Sequence, residues 1–139
     1  YEITKQHKAA FISKIGYPLN SGQPHDKRAP DYDDWELNGD ILVFYPLLDC
    51  ALELSSMGIR VDENTLKKQL EVANASHKMV FPYHQEVLNK VLPLTIGGGI
   101  GQSRLCMYFL KKAHIGEVQA SIWSDETQEI CAKHHIHLL

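Results

Sequence analysis

The sequence predicts an α+β fold: a mostly antiparallel sheet flanked by helices. Three observations carry that expectation. Two strand-like runs, Asp40 to Tyr45 and Leu52 to Val61, follow one another with only a short link opened by Pro46, which is hairpin spacing. Helix-start signals at Asp62, Pro82 and Ser124 fall between or after the strands instead of alternating strictly with them. A glycine run, Gly97-Gly98-Gly99 with Gly101 beyond it, marks the passage from a strand to a helix.

In chain order, Ala9-Ala10-Phe11-Ile12 is a short apolar run and reads as a buried strand. Asn20 to Asp34 is rich in Gly, Pro, Asp and charge, and reads as a loop. Asp40-Ile41-Leu42-Val43-Phe44-Tyr45 is β-branched and aromatic, so it is a strand that Pro46 ends. Leu52 to Val61 is a second strand with a bend at Gly58. Asp62 caps a helix through Leu66 and Leu70, with Lys67 and Lys68 on its wet side. Pro82 opens another helix carrying Val87, Leu88 and Val91, and Pro93 stops it. Leu94-Thr95-Ile96 is a strand entering the glycines, and Leu105, Tyr108 and Phe109 then recur at helical spacing. Glu117 to Trp123 alternates as a last strand, and Ser124, followed by Asp125 and Glu126, caps a closing helix.

The 139 residues are the length of one domain. Apolar residues make up 44% and charged residues 22%, an ordinary globular balance. A net charge of −3 offers no basic face for nucleic acid. No apolar run approaches the ~18 residues of a membrane span, and the polar stretch Tyr1 to Lys14 lacks a signal-peptide core. Cys50, Cys106 and Cys131 are far apart and form no CxxC pair, so reduced core thiols in a cytosolic protein are expected. The opening at Tyr1, without Met, fits a piece cut from a longer protein.

Three motifs carry chemistry. In Ile96-Gly97-Gly98-Gly99-Ile100-Gly101-Gln102-Ser103-Arg104-Leu105 the glycines let a backbone approach a flat or charged ligand, and Arg104 can stack on a base or grip a phosphate. Neither GxGxxG nor a Walker A loop fits, and tight helix–strand packing would use the same small residues. Arg28-Ala29-Pro30-Asp31-Tyr32-Asp33-Asp34-Trp35 holds three carboxylates in four residues, suited to an ammonium group or a hard cation, or to a solvated acidic turn. Asp40 and Glu53 lie on neighbouring strands and can converge on one face if these pair; two acids near a nucleotide usually hold Mg²⁺. Arg60 lies seven residues past Glu53, on the opposite face of a regular strand unless Gly58 marks a bulge. His134, His135 and His137 read as an exposed tail, and no chemistry attaches to His25, His77, His84 or His114.

These motifs, together with Leu37-Asn38-Gly39-Asp40-Ile41-Leu42-Val43, Glu53-Leu54-Ser55-Ser56-Met57-Gly58-Ile59-Arg60-Val61-Asp62 and His114-Ile115-Gly116-Glu117-Val118-Gln119-Ala120, resemble asparagine synthetase A, the aspartate–ammonia ligase family. The resemblance runs from about Phe11 to Trp123, and the glycine–arginine string is similar to motif 3 of class II aminoacyl-tRNA synthetases. It implies the C-terminal part of a single class II synthetase-like catalytic domain, in a cytoplasmic, homodimeric parent. The implied reaction joins aspartate, ammonia and ATP into asparagine through a β-aspartyl-adenylate, releasing AMP and pyrophosphate, with Mg²⁺ accompanying ATP.

By the same resemblance, Arg104 packs on the adenine and reaches the distal phosphates, and Gly97 and Gly99 floor the adenosine. Ser55 belongs to the ATP site. Asp40 and Glu53 face the phosphates and Mg²⁺, Arg60 is a further catalytic cation, and Asp33 holds the substrate's α-ammonium. The family usually carries a longer loop between Trp35 and Leu37, where only Glu36 stands here. The family's first half, with its motif 1 and motif 2 arginine, has no counterpart in the chain, which is therefore expected to be inactive alone. The alternatives are an aspartyl- or asparaginyl-tRNA synthetase-like core, which would want a basic anticodon-binding module, or a non-catalytic nucleotide- or amino-acid-binding relative.

Overall fold

In the computed structural model, which describes Tyr1–Leu139, four strands form one antiparallel sheet. They are β1 (Ala9–Ser13), β2 (Asp33–Tyr45), β3 (Cys50–Arg60) and β4 (Ile96–Ile100), in that order across the sheet. β2 and β3 make the expected hairpin. Asp49 sits in the left-handed region at φ 47° and donates its N–H to the Pro46 carbonyl at 3.4 Å. Aspartate tolerates that conformation better than most residues. Five α-helices complete the chain: α1 (Glu2–His7), α2 (Glu63–Val72), α3 (Pro82–Leu88), α4 (Gln102–Phe109) and α5 (Asp125–Lys133). Short 3₁₀ turns occupy Ser76–Val80 and Ile115–Glu117. No helix is long and apolar enough to cross a membrane.

The helix-start signals act as expected. Asp62 Oδ1 accepts the N–H groups of Asn64 and Thr65 at 3.0 and 2.7 Å, and Thr65 Oγ1 accepts from the Asp62 N–H, closing a capping box. Pro82 stands in the first turn of α3, and Ser124 Oγ accepts from the Thr127 N–H.

The chain packs as two compact units. One comprises Tyr1–Ala10, Ile41–Ser55 and Ile100–Leu139. Within it, the buried Tyr45 hydroxyl donates toward the carbonyls of Met107 (3.0 Å) and Lys112 (2.7 Å), fastening the end of β2 to α4. The other comprises Phe11–Asp40 and Ser56–Gly99. Its core is Val61, Leu66, Leu70 and Ala75, with Met79, Val87 and Leu88 against it. Leu66 and Leu70 are fully buried, each worth roughly 1.5–3 kcal/mol of transfer free energy.

Several expectations need correction. β1 alternates between exposed and half-buried residues and leaves Phe11 exposed, because it is first in the sheet order and so an edge strand. The acidic loop ends sooner than expected, since Asp33 and Asp34 already belong to β2. The glycine run is itself strand. β4 begins at Ile96, not Leu94, and takes in Gly97, Gly98 and Gly99, because the run pairs with β3, whose Arg60 and Met57 side chains take the space a Cβ would need at Gly97 and Gly98. α3 stops at Leu88, well before Pro93. Lys90 turns left-handed at φ 58°, and the N–H groups of Lys90 and Val91 close back on the carbonyls of Val87 and Glu86.

No strand forms over Glu117 to Trp123. The Glu117 carboxylate folds back to accept from the N–H groups of Ala113 and His114, a local cap that competes with a ladder. Residues 36 and 37, where the family's longer loop would stand, are interior to β2. Of the three free thiols only Cys131 is a core residue; Cys50 is half-buried and Cys106 exposed.

Candidate functional site

The acidic stretch Asp31 to Asp34 owes its position to a helix residue that composition does not single out. Gln69 lies three residues past Leu66, on the buried stripe of α2, and is fully buried itself. Its Oε1 accepts the Trp35 N–H at 2.8 Å, and its Nε2 donates to the carbonyls of Pro30 (3.0 Å) and Asp33 (3.1 Å). One amide thus binds both ends of the stretch. Trp35 is buried, and its indole N–H donates to the Ala29 carbonyl at 3.3 Å.

With its backbone fixed, the stretch presents its side chains to β3. Asp33 Oδ1 is paired with Arg60 Nη1. The Arg60 guanidinium lies 4.0 Å from the Tyr32 ring centroid and donates from Nη2 to the Tyr32 hydroxyl at 2.9 Å. The Val61 N–H donates to the Tyr32 carbonyl at 3.0 Å. β3 runs unbroken through Gly58, whose role is room: a Cβ there would lie 2.7 Å from Asp33 Cγ. A Cβ at Gly97 would lie 2.5 Å from Arg60 Nη2. Two glycines on adjacent strands therefore make the space for one ion pair.

On the other flank of that stretch, Asp31 Oδ2 meets Lys78 Nζ and His84 Nε2, each at 3.0 Å. Burial pushes the Asp31 carboxyl up, but hydrogen bonds from Lys78 and His84 outweigh it and hold it below the usual carboxylate range.

Asp40, also in this unit, has a side chain only 5% exposed. Its Oδ2 is paired with Arg28, which also donates to Ser56 Oγ at 3.1 Å, while Asp40 Oδ1 is buried without a hydrogen-bond partner. A buried orphan acceptor of this kind suits a hard cation. At Gly99 a Cβ would meet nothing within 4 Å, so the space on that side of the residue is open.

The remaining expected residues lie in the first unit. Gly101 caps α4 and donates its N–H to the Leu54 carbonyl at 2.8 Å. One turn on, Arg104 Nη1 reaches Glu53 Oε1 at 3.2 Å and the Glu53 carbonyl at 3.3 Å. Both side chains are nearly half exposed. Ser55 is buried.

The structure thus pairs Asp33 with Arg60, Asp40 with Arg28, and Glu53 with Arg104. Arg28, Tyr32, Gln69, Lys78 and His84 had no role assigned from sequence. The one sequence signal among them is Gln69, a polar residue on an otherwise apolar helical stripe. No group of three or more His, Cys, Asp or Glu side chains gathers to hold a metal, and the histidines of the C-terminal tail are exposed.

Comparison with known proteins agrees with the motifs. The family described as aspartate-ammonia ligase matches residues 1–135. An aspartate–ammonia ligase of Fusobacterium nucleatum is 65% identical over 139 residues, covering 100% of this chain and 42% of that protein. One from Ruminiclostridium cellulolyticum is 61% identical over 137 residues, 99% of this chain and 41% of its own. One from Bacillus cereus is 58% identical over 138 residues, 99% of this chain and 42% of its own. The chain spans about two fifths of the length of these relatives, and it belongs to the aspartate–ammonia ligase family.

Proposed function

We propose that the protein of which this chain is part makes asparagine from aspartate, ammonia and ATP, releasing AMP and pyrophosphate by way of a β-aspartyl-adenylate. The observation that carries this reading is the Asp33–Arg60–Tyr32 constellation, set in a chain of this family. Asp33 uses Oδ1 on Arg60, and a carboxylate keeps further lone pairs for a substrate ammonium. The Arg60 guanidinium, braced by Tyr32, is a fixed cation for the substrate's carboxylate or for charge developing on it.

A carboxylate is a poor electrophile, so activation as a mixed anhydride with AMP gives ammonia a carbonyl to attack. The protein's part is to hold the reactants and neutralise charge. In the second unit, Gly97 and Gly99 are read as the floor under the adenosine, and Asp40 as an acid that holds Mg²⁺ through its unpartnered oxygen. Magnesium needs only one or two protein carboxylates when phosphates supply further ligands. Bound there with ATP, it would neutralise phosphate charge. In the first unit, the half-exposed Arg104 is read as the adenine- and phosphate-contacting arginine, and Glu53 as a phosphate-facing acid. The sheet with its flanking helices is read as part of a class II synthetase-like domain, and the parent as a cytoplasmic homodimer.

The test is aspartate-dependent exchange of pyrophosphate into ATP by the full-length parent, with and without ammonia, followed by identification of products. Exchange without ammonia, then asparagine and AMP on its addition, is expected. ADP and phosphate as products would overturn the adenylate. Transfer of aspartate to tRNA would favour the synthetase-like alternative.

A further inference from the structure

Asp31 stands two residues before Asp33, yet its chemistry is already used. Its Oδ2 is shared between Lys78 Nζ, on the 3₁₀ turn Ser76–Val80, and His84 Nε2, on α3. Its carbonyl accepts from the Tyr83 hydroxyl at 3.4 Å. Both cationic or donor partners come from the segment just after α2, the helix whose Gln69 holds the neighbouring backbone.

The His84 side chain hydrogen-bonds to Asp31, and aromatic rings pack around it. It is buried, with Phe81 and Tyr83 edge-on at ring-centroid distances of 5.9 and 5.3 Å. Its Nδ1 is buried without a hydrogen-bond partner. The contact to the Asp31 carboxylate is carried by a proton on Nε2, which donates to Asp31, while Nδ1 takes no part. The stretch is therefore clamped on two flanks: Asp31 on Lys78 and His84, and Tyr32 and Asp33 on Arg60.

We propose that Asp31, clamped by Lys78 and His84, is a positioning residue that sets the Tyr32–Asp33–Arg60 constellation for the amino-acid substrate and does not itself bind that substrate. The proposal rests on the reading that Asp33 holds the α-ammonium of aspartate. Its consequence is selective. Loosening the clamp shifts the carboxylate that receives aspartate while leaving the nucleotide-contacting residues alone.

The experiment uses the full-length parent with His84→Ala, His84→Gln and Asp31→Asn. Gln places an amide N–H near the position of Nε2, so it keeps the donor. The KM for aspartate is expected to rise about 10- to 100-fold in His84→Ala and Asp31→Asn, with the KM for ATP within about twofold and substantial rescue by Gln. Hydrogen exchange supplies a readout that needs no activity. The Val61 amide, bonded to the Tyr32 carbonyl, should exchange faster in His84→Ala, while the Arg60 amide, bonded to the Thr95 carbonyl at 2.9 Å, should not.

Unchanged Val61 exchange, equal rises in both KM values, or a Gln variant as impaired as Ala would each overturn the proposal. If His84→Ala does not fold, the near-isosteric Asp31→Asn decides by the same readouts. If the wild-type parent makes no asparagine but the exchange result stands, the proposed function fails while the positioning role of the clamp survives.

Discussion

Arg60 and Asp33 are bound to each other across β2 and β3, and each has a glycine where a side chain would displace it: Gly97 beside Arg60 and Gly58 beside Asp33. The pair is largely buried, with side chains 21% and 9% exposed. Removing one partner of such a pair costs roughly 3–5 kcal/mol, because the other charge is left desolvated.

The glycines should therefore separate by role. Gly58→Ala would set a Cβ 2.7 Å from Asp33 Cγ, and is expected to destabilise by about 1–3 kcal/mol. Gly99→Ala meets nothing within 4 Å, so stability should change by less than ~0.5 kcal/mol while the KM for ATP rises. Urea midpoints and ATP kinetics of the parent check both. Equal destabilisation by the two substitutions would remove the distinction.

Arg104→Ala should leave the fold intact, since the Arg104–Glu53 pair is half exposed and exposed pairs contribute roughly 0–1 kcal/mol. The cost should fall on ATP use, about 1.5–3 kcal/mol for a lost charge-assisted contact. Glu53→Gln should likewise lose pyrophosphate exchange with little change in thermal stability. Normal exchange in either variant would refute its assignment to the ATP site.

Gln69→Leu keeps the volume and removes both ends of an amide that bonds the Trp35 N–H and the carbonyls of Pro30 and Asp33. Those groups would then be left without their side-chain partner. A loss of at least ~2 kcal/mol is expected. A smaller loss by chemical denaturation would mean that water replaces the amide.

Hydrogen bonds from the Thr65 and Asn64 backbone N–H groups and the Thr65 hydroxyl outweigh burial and hold the Asp62 carboxyl below its ordinary range. A depressed carboxyl adds stability above its unfolded value, near 3.9, and loses it as pH falls through the folded value. Asp62→Ala should cost roughly 0.5–2 kcal/mol at neutral pH. The Asp–Asn difference at this position should be full above about pH 5 and vanish in strong acid. Urea titrations from pH 7 to pH 2 test this, and an unchanging difference would refute the charged cap.

The chain alone, spanning 42% of a relative's length, should form no asparagine and should self-associate. Leu94, Ile96 and Ile122 are 79%, 78% and 99% exposed, and unpaired edges and apolar surface promote association. Light scattering and an AMP-release assay on the 139 residues decide. A monomer that turns over would mean that the rest of the parent is dispensable.

Local chemistry made much of this protein legible from sequence. The Asp62, Pro82 and Ser124 helix starts depend only on neighbours within one turn, and the β2–β3 hairpin depends on two adjacent runs and a short link. The misread elements are those where competition was decided elsewhere. Gly97 to Gly99 became strand by pairing with β3, whose Arg60 and Met57 leave no room for a Cβ at Gly97 and Gly98, and Glu117 to Trp123 lost its strand to a cap that the alternation did not reveal.

The sequence by itself determined the motifs, their order and the family, since these are strings of residue types. Tertiary structure decided which acid meets which cation. Asp31 and Asp33 differ little as letters in one short run, yet one is held by Lys78 and His84 and the other by Arg60. The reason is physical: a buried carboxylate must find its counter-charge in three dimensions, and those partners lie 27 to 53 residues away along the chain.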